Sequence, residues 1–152
     1  MNDNNQKNKD LDFKIINWIG IIEQLASTKV RQLLEDTNVP PPQFSLLNHF
    51  SHRPDEGKTV TSVANAMQQP QPGITKTLAK MLSKGFIRET RNPDDKRSKI
   101  LFLTPEGIAA HKQARQKLIE GMGETFDDWE HTDKEQLFTL LDRLKIYLDN
   151  NR

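Results

Sequence analysis

The residues best able to do chemistry in this 152-residue chain are cations, and they are concentrated in its middle. Between Arg53 and Pro105 there are ten Lys or Arg against five Asp or Glu, a local balance of +5. The rest of the chain has 12 basic and 16 acidic residues, so the formal total is only +1. A basic middle between acidic flanks indicates contact with a polyanion, although solvated surface charge gives the same balance.

One group of these cations shares the face of a predicted helix. Thr75, Lys76 and Lys80 are spaced so that they lie on one side of it, away from its apolar residues. Such a helix fits the major groove of double-stranded DNA. Gln71, at the start of this helix, has an amide that can pair with adenine, and Thr61 on the preceding short helix is predicted to contact the same DNA.

A second group of cations lies in a predicted hairpin whose polar tip runs from Asn92 to Ser98. Lys96, Arg97 and Lys99 are at or beside this tip. A planar guanidinium fits the narrow, negative minor groove, so the tip is predicted to enter a groove next to the one that the helix reads. Basic residues on a solvated helix and turn are the alternative, but their joint placement favours double-stranded DNA as a partner.

The sequence also excludes several other classes of function. The chain has no cysteine, so a disulfide scaffold, a thiolate metal site and a thiol redox sensor are ruled out. His49 and His52 have a spacing that can bind a metal, but no third ligand is evident, so no metal or cofactor is predicted. No catalytic motif is found, and an enzyme is not expected. No membrane span or export signal is found, so a cytoplasmic protein without a membrane partner is expected.

Apolar periodicity predicts the first element. Met1–Asp10 is interpreted as a frayed polar tail, and a long amphipathic helix follows and ends at Pro40–Pro42. Its apolar face is wider than one neighbouring element would cover, which favours contact with a second copy over burial on two sides within one chain. The stripe at the centre of this face is Leu11, Ile15, Trp18, Ile22 and Leu25.

Turn and cap signals divide the middle of the chain. A second helix begins within Pro40–Pro42, and Arg53–Gly57 is a turn. Val60 is assigned to a short strand, and Thr61 is predicted to be the N-cap of a short helix. The apolar face of the second helix is predicted to be Phe44, Leu46, Leu47 and Phe50.

The segment that follows has the pattern of a helix and a hairpin. Gln68–Pro72 is interpreted as a break, after which a helix runs through Lys84. Gly85 is predicted to be its left-handed C′ residue. Phe86–Arg91 and Ile100–Leu103 are predicted to be the two strands of a hairpin that packs on the preceding helices.

The last third of the chain is predicted to be helical. Thr104-Pro105-Glu106 is a helix start, and Thr132–Glu135 is interpreted as the capping box of a final helix. The predicted fold class is mainly α with a small β-hairpin wing, that is, a winged helix-turn-helix plus a helical dimerisation region. Residues 1–40 form an N-terminal dimerisation helix, 41–104 the DNA-binding domain and 105–152 the C-terminal dimerisation helices.

Several segments between Gln43 and Gly107 resemble the multiple-antibiotic-resistance regulator (MarR) family. The most specific is the wing with its acidic and basic residues, followed by a strand and a Leu-Thr-x-x-Gly helix start. The detailed resemblance covers under half of the chain, while the layout of elements covers nearly all of it. The matching segments are Gln43–Leu47, Thr61–Met67, Ile74–Leu78, Lys84–Ile87, Asn92–Arg97 and Lys99–Gly107.

The resemblance implies a homodimeric regulator that binds a pseudo-palindromic operator, commonly as a repressor released by a small amphipathic or phenolic ligand. It places Thr75 and Lys76 on the recognition helix and Arg97 at the minor-groove arginine. It also implies that Asp95 orients this arginine through a charge-assisted pair. Repressor and activator look the same in sequence.

The start of the recognition helix departs from the family pattern. Where relatives commonly have Ser or Thr and a basic residue, this chain has Pro70-Gln71-Pro72-Gly73. These prolines can preorganise the helix start, reduce DNA affinity or change the operator that is read. Two rival functions follow: a winged-helix protein-interaction module that has lost DNA binding, and an architectural DNA binder without a preferred site.

A ligand cleft is predicted from the helix faces alone. Trp18 is placed in it together with His49 or Phe50. The alternative for Trp18 is a place in the core or in the interface between two copies.

Overall fold

The structure is a computed structural model that describes residues 2–152, with side chains from Gln6 onward. Within these residues it contains six α-helices, a 3₁₀ turn and a two-stranded antiparallel sheet, which confirms the predicted fold class. The helices are α1 Asn2–Leu34, α2 Pro41–Ser51, α3 Val60–Met67, α4 Gln71–Ser83, α5 Pro105–Gly123 and α6 His131–Asn150. The strands are β1 Ile87–Arg91 and β2 Lys99–Leu103, and the 3₁₀ turn is Glu124–Phe126.

The chain divides into two compact units. The first runs to Leu118 and contains α1 to α4, both strands and most of α5, while the second begins at Ile119 and contains α6. All residues of the buried apolar core belong to the first unit. Over the residues described, no helix combines the length and apolar character needed to cross a membrane.

The core of the first unit lies among α2, α3, α4 and the hairpin. Leu47 and Phe50 of α2, Val63 of α3 and Met81 of α4 are all 0% exposed, and Leu101 of β2 is 2% exposed. Burial of a large apolar side chain stabilises a fold by about 1.5–3 kcal/mol. This core therefore supports α4 and the hairpin on one scaffold.

The two strands form a regular antiparallel hairpin. Ile87 lies opposite Leu103 at its base, and Arg91 lies opposite Lys99 at the end next to the tip. The first strand begins one residue later than predicted, because Phe86 takes part in the turn that ends the preceding helix.

The loop before α3 extends this sheet by one bridge. The Lys58 N–H donates to the Leu101 carbonyl at 2.9 Å, and the Leu101 N–H donates back at 2.8 Å. A side chain at Gly57 would come within 2.3 Å of the Ile100 side chain, so the loop passes too close to β2 for any other residue. Val60, predicted to be in a strand, is instead the first residue of α3.

The N-cap of α3 is Thr59, so the prediction that Thr61 has this role is wrong. The Thr59 hydroxyl accepts from the Ser62 N–H at 3.2 Å, and the Ser62 hydroxyl accepts from the Thr59 N–H at 3.1 Å. Thr59 has extended backbone angles, as an N-cap requires, whereas Thr61 is already helical.

The break between α3 and α4 is shorter than the predicted Gln68–Pro72. Gln68 adopts a left-handed conformation with φ 52°, and Pro70 is the N-cap of α4. Pro72 lies within the first turn of α4, where its missing N–H has no helical partner to lose.

The end of α4 confirms the role of Gly85, which has φ 71°. The Phe86 N–H donates to the Met81 carbonyl at 3.0 Å, and the Gly85 N–H donates to the Leu82 carbonyl at 3.0 Å. These two bonds form a Schellman motif, which ends the helix and leads the chain into β1. Lys84 is the C-cap rather than a full member of the helix.

The start of α5 is as predicted, and it is joined to the end of α4. The Thr104 hydroxyl donates to the Gly85 carbonyl at 2.5 Å and accepts from the Gly107 N–H at 3.0 Å. A side chain at Gly107 would lie 2.1 Å from the Phe86 carbonyl oxygen. Glycine therefore allows α5 to pack directly against this backbone.

The first helix differs from the prediction at both ends. It begins at Asn2, so the predicted frayed tail is wrong for Asn2–Asp10, while Met1 lies outside the described residues. The segment contains no Pro or Gly, and adding residues to an existing helix gains one hydrogen bond each. The helix ends at Leu34 rather than at Pro40–Pro42, and the Thr37 hydroxyl donates to the Leu34 carbonyl at 2.7 Å.

The capping box predicted at Thr132–Glu135 is also wrong. The N-cap of α6 is Glu130, without a side-chain hydrogen bond, and His131 already begins the helix. The Glu135 carboxylate lies 3.3 Å from the His131 Nε2, one helical turn earlier, instead of reaching the backbone at the cap.

Candidate nucleic-acid interface

Helix α4 separates an apolar face from a polar one. Ile74 and Leu78 are each 2% exposed and pack in the core. Thr75, Lys76 and Lys80 are all exposed. The burial of one face therefore leaves the predicted DNA-reading residues on a solvent-facing side of the helix.

The start of α4 is formed by proline and glutamine rather than by a hydroxyl cap. Pro70 as the N-cap makes no side-chain hydrogen bond, and Gln71 follows as an exposed first residue. The Thr75 hydroxyl donates to the Gln71 carbonyl at 2.9 Å. The start of α4 therefore offers a ligand the Gln71 amide, together with the methyl group and the hydroxyl oxygen of Thr75.

The hairpin tip is ordered by its own side chains. The Asn92 amide donates to the Ser98 hydroxyl at 2.8 Å, and the Asp94 N–H donates to the Asn92 side-chain oxygen at 3.0 Å. The Arg97 N–H donates to an Asp95 carboxylate oxygen at 2.9 Å. These contacts fix the backbone from which Lys96 and Arg97 extend into solvent.

Asp95 therefore acts on Arg97 in a different way from the one implied by the family resemblance. Its carboxylate accepts from the backbone of Arg97, and over the described residues no Asp95–Arg97 ion pair within 4.0 Å is found. The guanidinium remains free to reach a partner, while its backbone is held in place.

The other two residues predicted to contact DNA, Lys99 and Thr61, lie outside the exposed face of α4 and outside the hairpin tip. Lys99 is on β2, and its Nζ is 3.7 Å from a carboxylate oxygen of Glu89 on the opposite strand. Thr61 is exposed on α3, as the second residue of that helix. The structure thus places Lys99 in a cross-strand pair at the base of the tip rather than within the tip.

Four predicted DNA-facing cations share one electrostatic property. Lys76, Lys80, Lys96 and Arg97 are exposed, and among the described side chains none has an acidic oxygen within 4.0 Å. Elsewhere in the first unit Lys117 is paired with Asp36. The interface therefore has positive charge that is not neutralised within the chain.

The three residues predicted for a ligand cleft have different environments. Trp18 is 59% exposed on α1, whereas Phe50 is 0% exposed in the core. His49 is partly buried, with its ring edge-on to Phe50 at 6.2 Å between centroids. Burial, followed by the charges of Lys58 and His52, lowers the pKa of His49. The structure thus joins His49 to Phe50 but gives Phe50 no free surface for a ligand.

A cavity of about 400 Å³ lies instead where α1 meets α2. None of the three predicted ligand residues is in its lining. Its lining residues are Arg31, Gln32, Leu34, Glu35, Thr37, Pro40 and Pro41.

His111 of α5 joins two helices in a way that the sequence analysis did not predict. Its ring nitrogens lie 3.1 Å from the Ser51 hydroxyl and 3.2 Å from the Asn48 side-chain oxygen, and it stacks on Phe44. Burial is the largest cause that lowers the pKa of His111, and the nearby charge of Arg115 adds to it. No local signal links these residues, since the polar contacts span 60 and 63 positions.

Two further cations of the basic middle are turned toward the protein. The Arg88 guanidinium lies over the Phe102 ring at 4.6 Å, on the paired strand. The Lys84 Nζ donates to Asn38 in the segment between α1 and α2 and to Gln43 of α2. The charge balance of the basic middle includes both residues, because the sequence does not show which way their side chains point.

Comparisons with known proteins agree with this geometry. Residues 37–98 match the family model of the MarR family. The chain is 31% identical over 88 residues to the HTH-type transcriptional regulator BilQ of Clostridium symbiosum, a match that covers 58% of this chain and 61% of BilQ. The chain therefore spans less than two thirds of that relative.

Solved structures extend the likeness over most of the chain. The transcriptional regulator BldR from Sulfolobus solfataricus is 26% identical, with a TM-score of 0.73 over 88% of this chain and 96% of that one. A mutant MarR from E. coli, complexed with operator DNA, is 20% identical, with a TM-score of 0.72 over 86% of this chain and 93% of that one. The second likeness concerns the fold alone.

The helix pair α3 and α4, followed by the β1–β2 hairpin, defines a winged helix-turn-helix, a DNA-binding fold. Most of this motif lies within the residues that match the MarR family model. Over this part the chain is similar to MarR-family transcription regulators.

Proposed function

We propose that this protein is a transcription regulator that binds a pseudo-palindromic DNA operator as a homodimer. The observation that carries the proposal is the set of four exposed cations without acidic partners on α4 and the hairpin tip. Cations of this kind can neutralise phosphates and release counterions, and the α4 side chains can also reach base edges.

The exposed face of α1 supports the dimer. Trp18, Ile22 and Leu25 are 59%, 59% and 68% exposed, although they form part of one apolar stripe. Apolar stripes of this size on a helix are normally covered by another protein surface. A second copy brings an identical stripe, and a two-fold axis places two DNA-reading helices at equivalent half-sites.

The finer part of the proposal concerns regulation. We infer a cytoplasmic repressor that is released by a small amphipathic or phenolic ligand, as the family resemblance implies. The half-open groove between α1 and α2 has room for a small molecule, although its lining is as polar as it is apolar. Of the predicted ligand residues, Trp18 has an exposed ring, but it lies on the α1 stripe that the proposed dimer covers and outside the lining of this site.

The experiment measures binding of purified protein to its own upstream DNA and to scrambled DNA at several salt concentrations. Arg97→Ala is expected to lower affinity for the preferred DNA about tenfold and to relax site preference, because a minor-groove cation is lost. Arg143→Ala removes the same charge from an exposed position on α6 and is the matched control.

Three outcomes would contradict the proposal. Equal binding to both DNAs would favour an architectural binder, and no binding would favour a protein-interaction module in which the prolines around Gln71 have disabled α4. An Arg97→Ala variant that behaves like the Arg143→Ala control would remove the wing from the interface.

A further inference from the structure

Lys84 is a basic residue at the end of α4 whose charge faces the protein. Its Nζ donates to the Asn38 carbonyl at 2.7 Å and to the Gln43 side-chain oxygen at 2.8 Å. The same Nζ lies 5.6 Å from the centre of the Phe86 ring. The ammonium group is thus engaged on three sides by the protein itself.

The segment that receives Lys84 joins α1 to α2 and is itself well ordered. The Thr37 hydroxyl accepts from the Val39 N–H at 3.2 Å, and Val39 is 3% exposed in the core. On its other side, Lys117 of α5 pairs with Asp36. The α1–α2 segment is therefore a fixed support, with one lysine reaching it from α4 and another from α5.

Gln43 is a buried residue that depends on Lys84 for its hydrogen bond. It is 3% exposed, and its side-chain oxygen accepts from the Lys84 ammonium. Loss of this donor would leave a buried acceptor without its partner, which is unfavourable. Partial burial, followed by the charge of Lys80, lowers the pKa of Lys84.

The Schellman bonds at Gly85 end α4 locally, and the Thr104 bonds to the Gly85 and Phe86 carbonyls join this end to the start of α5 but not to α1 or α2. Apolar packing holds its inner face but contains few groups that fix direction. The two hydrogen bonds of Lys84 add directional contacts between the end of α4 and a support outside it.

We propose that Lys84 is a positioning residue for DNA recognition, which holds the end of α4 against Asn38 and Gln43 and does not contact phosphate. This inference rests on the proposed DNA-binding function. It predicts that Lys84 contributes to site preference without contributing to the number of phosphate contacts.

The test compares Lys84→Met with Lys80→Met, since methionine retains most of the side-chain length and removes the charge. Lys84→Met should lower affinity for the preferred DNA about tenfold, because α4 is no longer held in the orientation that reads base edges. Its affinity for scrambled DNA and its salt dependence should stay as in the wild type. Lys80→Met, from an exposed position on α4, should weaken both DNAs and reduce the salt slope by about one.

Hydrogen exchange of the DNA-free protein gives a second, independent readout. In Lys84→Met the amides of Gly85, Phe86 and Val39 should exchange faster, because the end of α4 and its support are no longer joined. A double variant with Gln43→Met should add little further effect on site preference, since both residues act through one contact.

Each result supports or overturns the inference. A reduced salt slope in Lys84→Met would make it a phosphate contact, and a lowered melting temperature with unchanged site preference and exchange would make it merely structural. If the wild-type protein shows no preferred DNA, the proposed function fails, and the exchange data alone decide whether Lys84 fixes the end of α4.

Discussion

The apolar residues of the winged-helix core and those on the faces of α1 and α6 differ in how completely they are buried. Leu47 and Phe50 in the core are 0% exposed. On α6 none of the described residues is buried, and Phe138 and Tyr147 are 70% and 64% exposed. The first region completes its packing within one chain, whereas the second has apolar surface left for a partner.

Helix α1 has both buried and exposed apolar residues along its length. Leu34, at its end, is 2% exposed and belongs to the core, while Leu25 is 68% exposed. The helix is therefore anchored at its C-terminal end and exposes apolar side chains before it. This difference predicts that folding of the winged helix and the proposed association of two chains are separable by mutation.

The largest expected effect comes from charging the exposed stripe of α1. Ile15→Glu combined with Ile22→Glu should convert dimers to monomers in which the winged helix remains folded. Affinity for a two-half-site operator should then fall by about 100-fold or more, because the two half-sites are no longer bound together. Light scattering after gel filtration, circular dichroism and DNA titration measure these three properties.

Asn17→Glu is the matched control, since it adds a charge at an exposed position of the same helix away from the stripe. It should leave the dimer intact. A double variant that still forms dimers, or one that unfolds completely, would show that the two regions are not separable in this way.

A smaller effect is expected from glycines within the winged-helix unit. Gly107→Ala places a methyl group against the Phe86 carbonyl and should lower the free energy of unfolding by about 1–3 kcal/mol. Gly73→Ala on α4 meets nothing within 4 Å and should raise it by about 0.5–1 kcal/mol. Urea unfolding of both variants measures the difference. Equal effects would mean that α5 does not pack tightly on the end of α4.

The smallest expected effect is a pH dependence within the winged-helix unit. The pKa of His111 is lowered in the fold from its ordinary value of 6.5, so the unfolded chain takes up a proton first. The stability from neutral His111 is therefore complete above pH 6.5 and is lost as the pH falls toward the folded-state pKa. The melting temperature should fall by about 2–4 °C for each kcal/mol lost on going from pH 7.5 to 5.5.

His111→Gln should show a smaller difference between the two pH values, because one of the titrating groups has been removed. His131→Gln, on exposed α6, is the control and should keep the wild-type difference. If the two variants have the same pH profile, the contact between α5 and α2 is not the source of the effect.

The sequence predicts best where the signal is local. Gly85 after a helical run and Thr104 before a proline each specify a helix end through backbone chemistry, and both predictions are confirmed. Errors occur where neighbouring residues can serve the same role. Thr59 and Thr61 are both residue types that serve as N-caps. Only the bridge between Lys58 and Leu101 of β2 shows that the helix begins after Thr59.

Long-range polar contacts could not be predicted from the sequence. Lys84 and Asn38 are 46 positions apart, and neither residue type indicates the contact. For the candidate site, the exposure of Lys76, Lys80 and Arg97 follows from apolar periodicity and turn signals, so it could be predicted. The backbone contact of Asp95 could not, because it depends on the geometry of the folded tip. The DNA contacts themselves remain predictions.

The hydrogen bonds that order the hairpin tip join residues of the tip to one another. Asn92, Asp95 and Ser98 supply the side chains, and none of these bonds reaches another helix. The conformation of the tip therefore depends on its own side chains. Its cations can change in evolution, or be exchanged between related proteins, without new packing elsewhere. Under the proposed function, DNA-site preference can therefore change at the tip while the core that supports it stays the same.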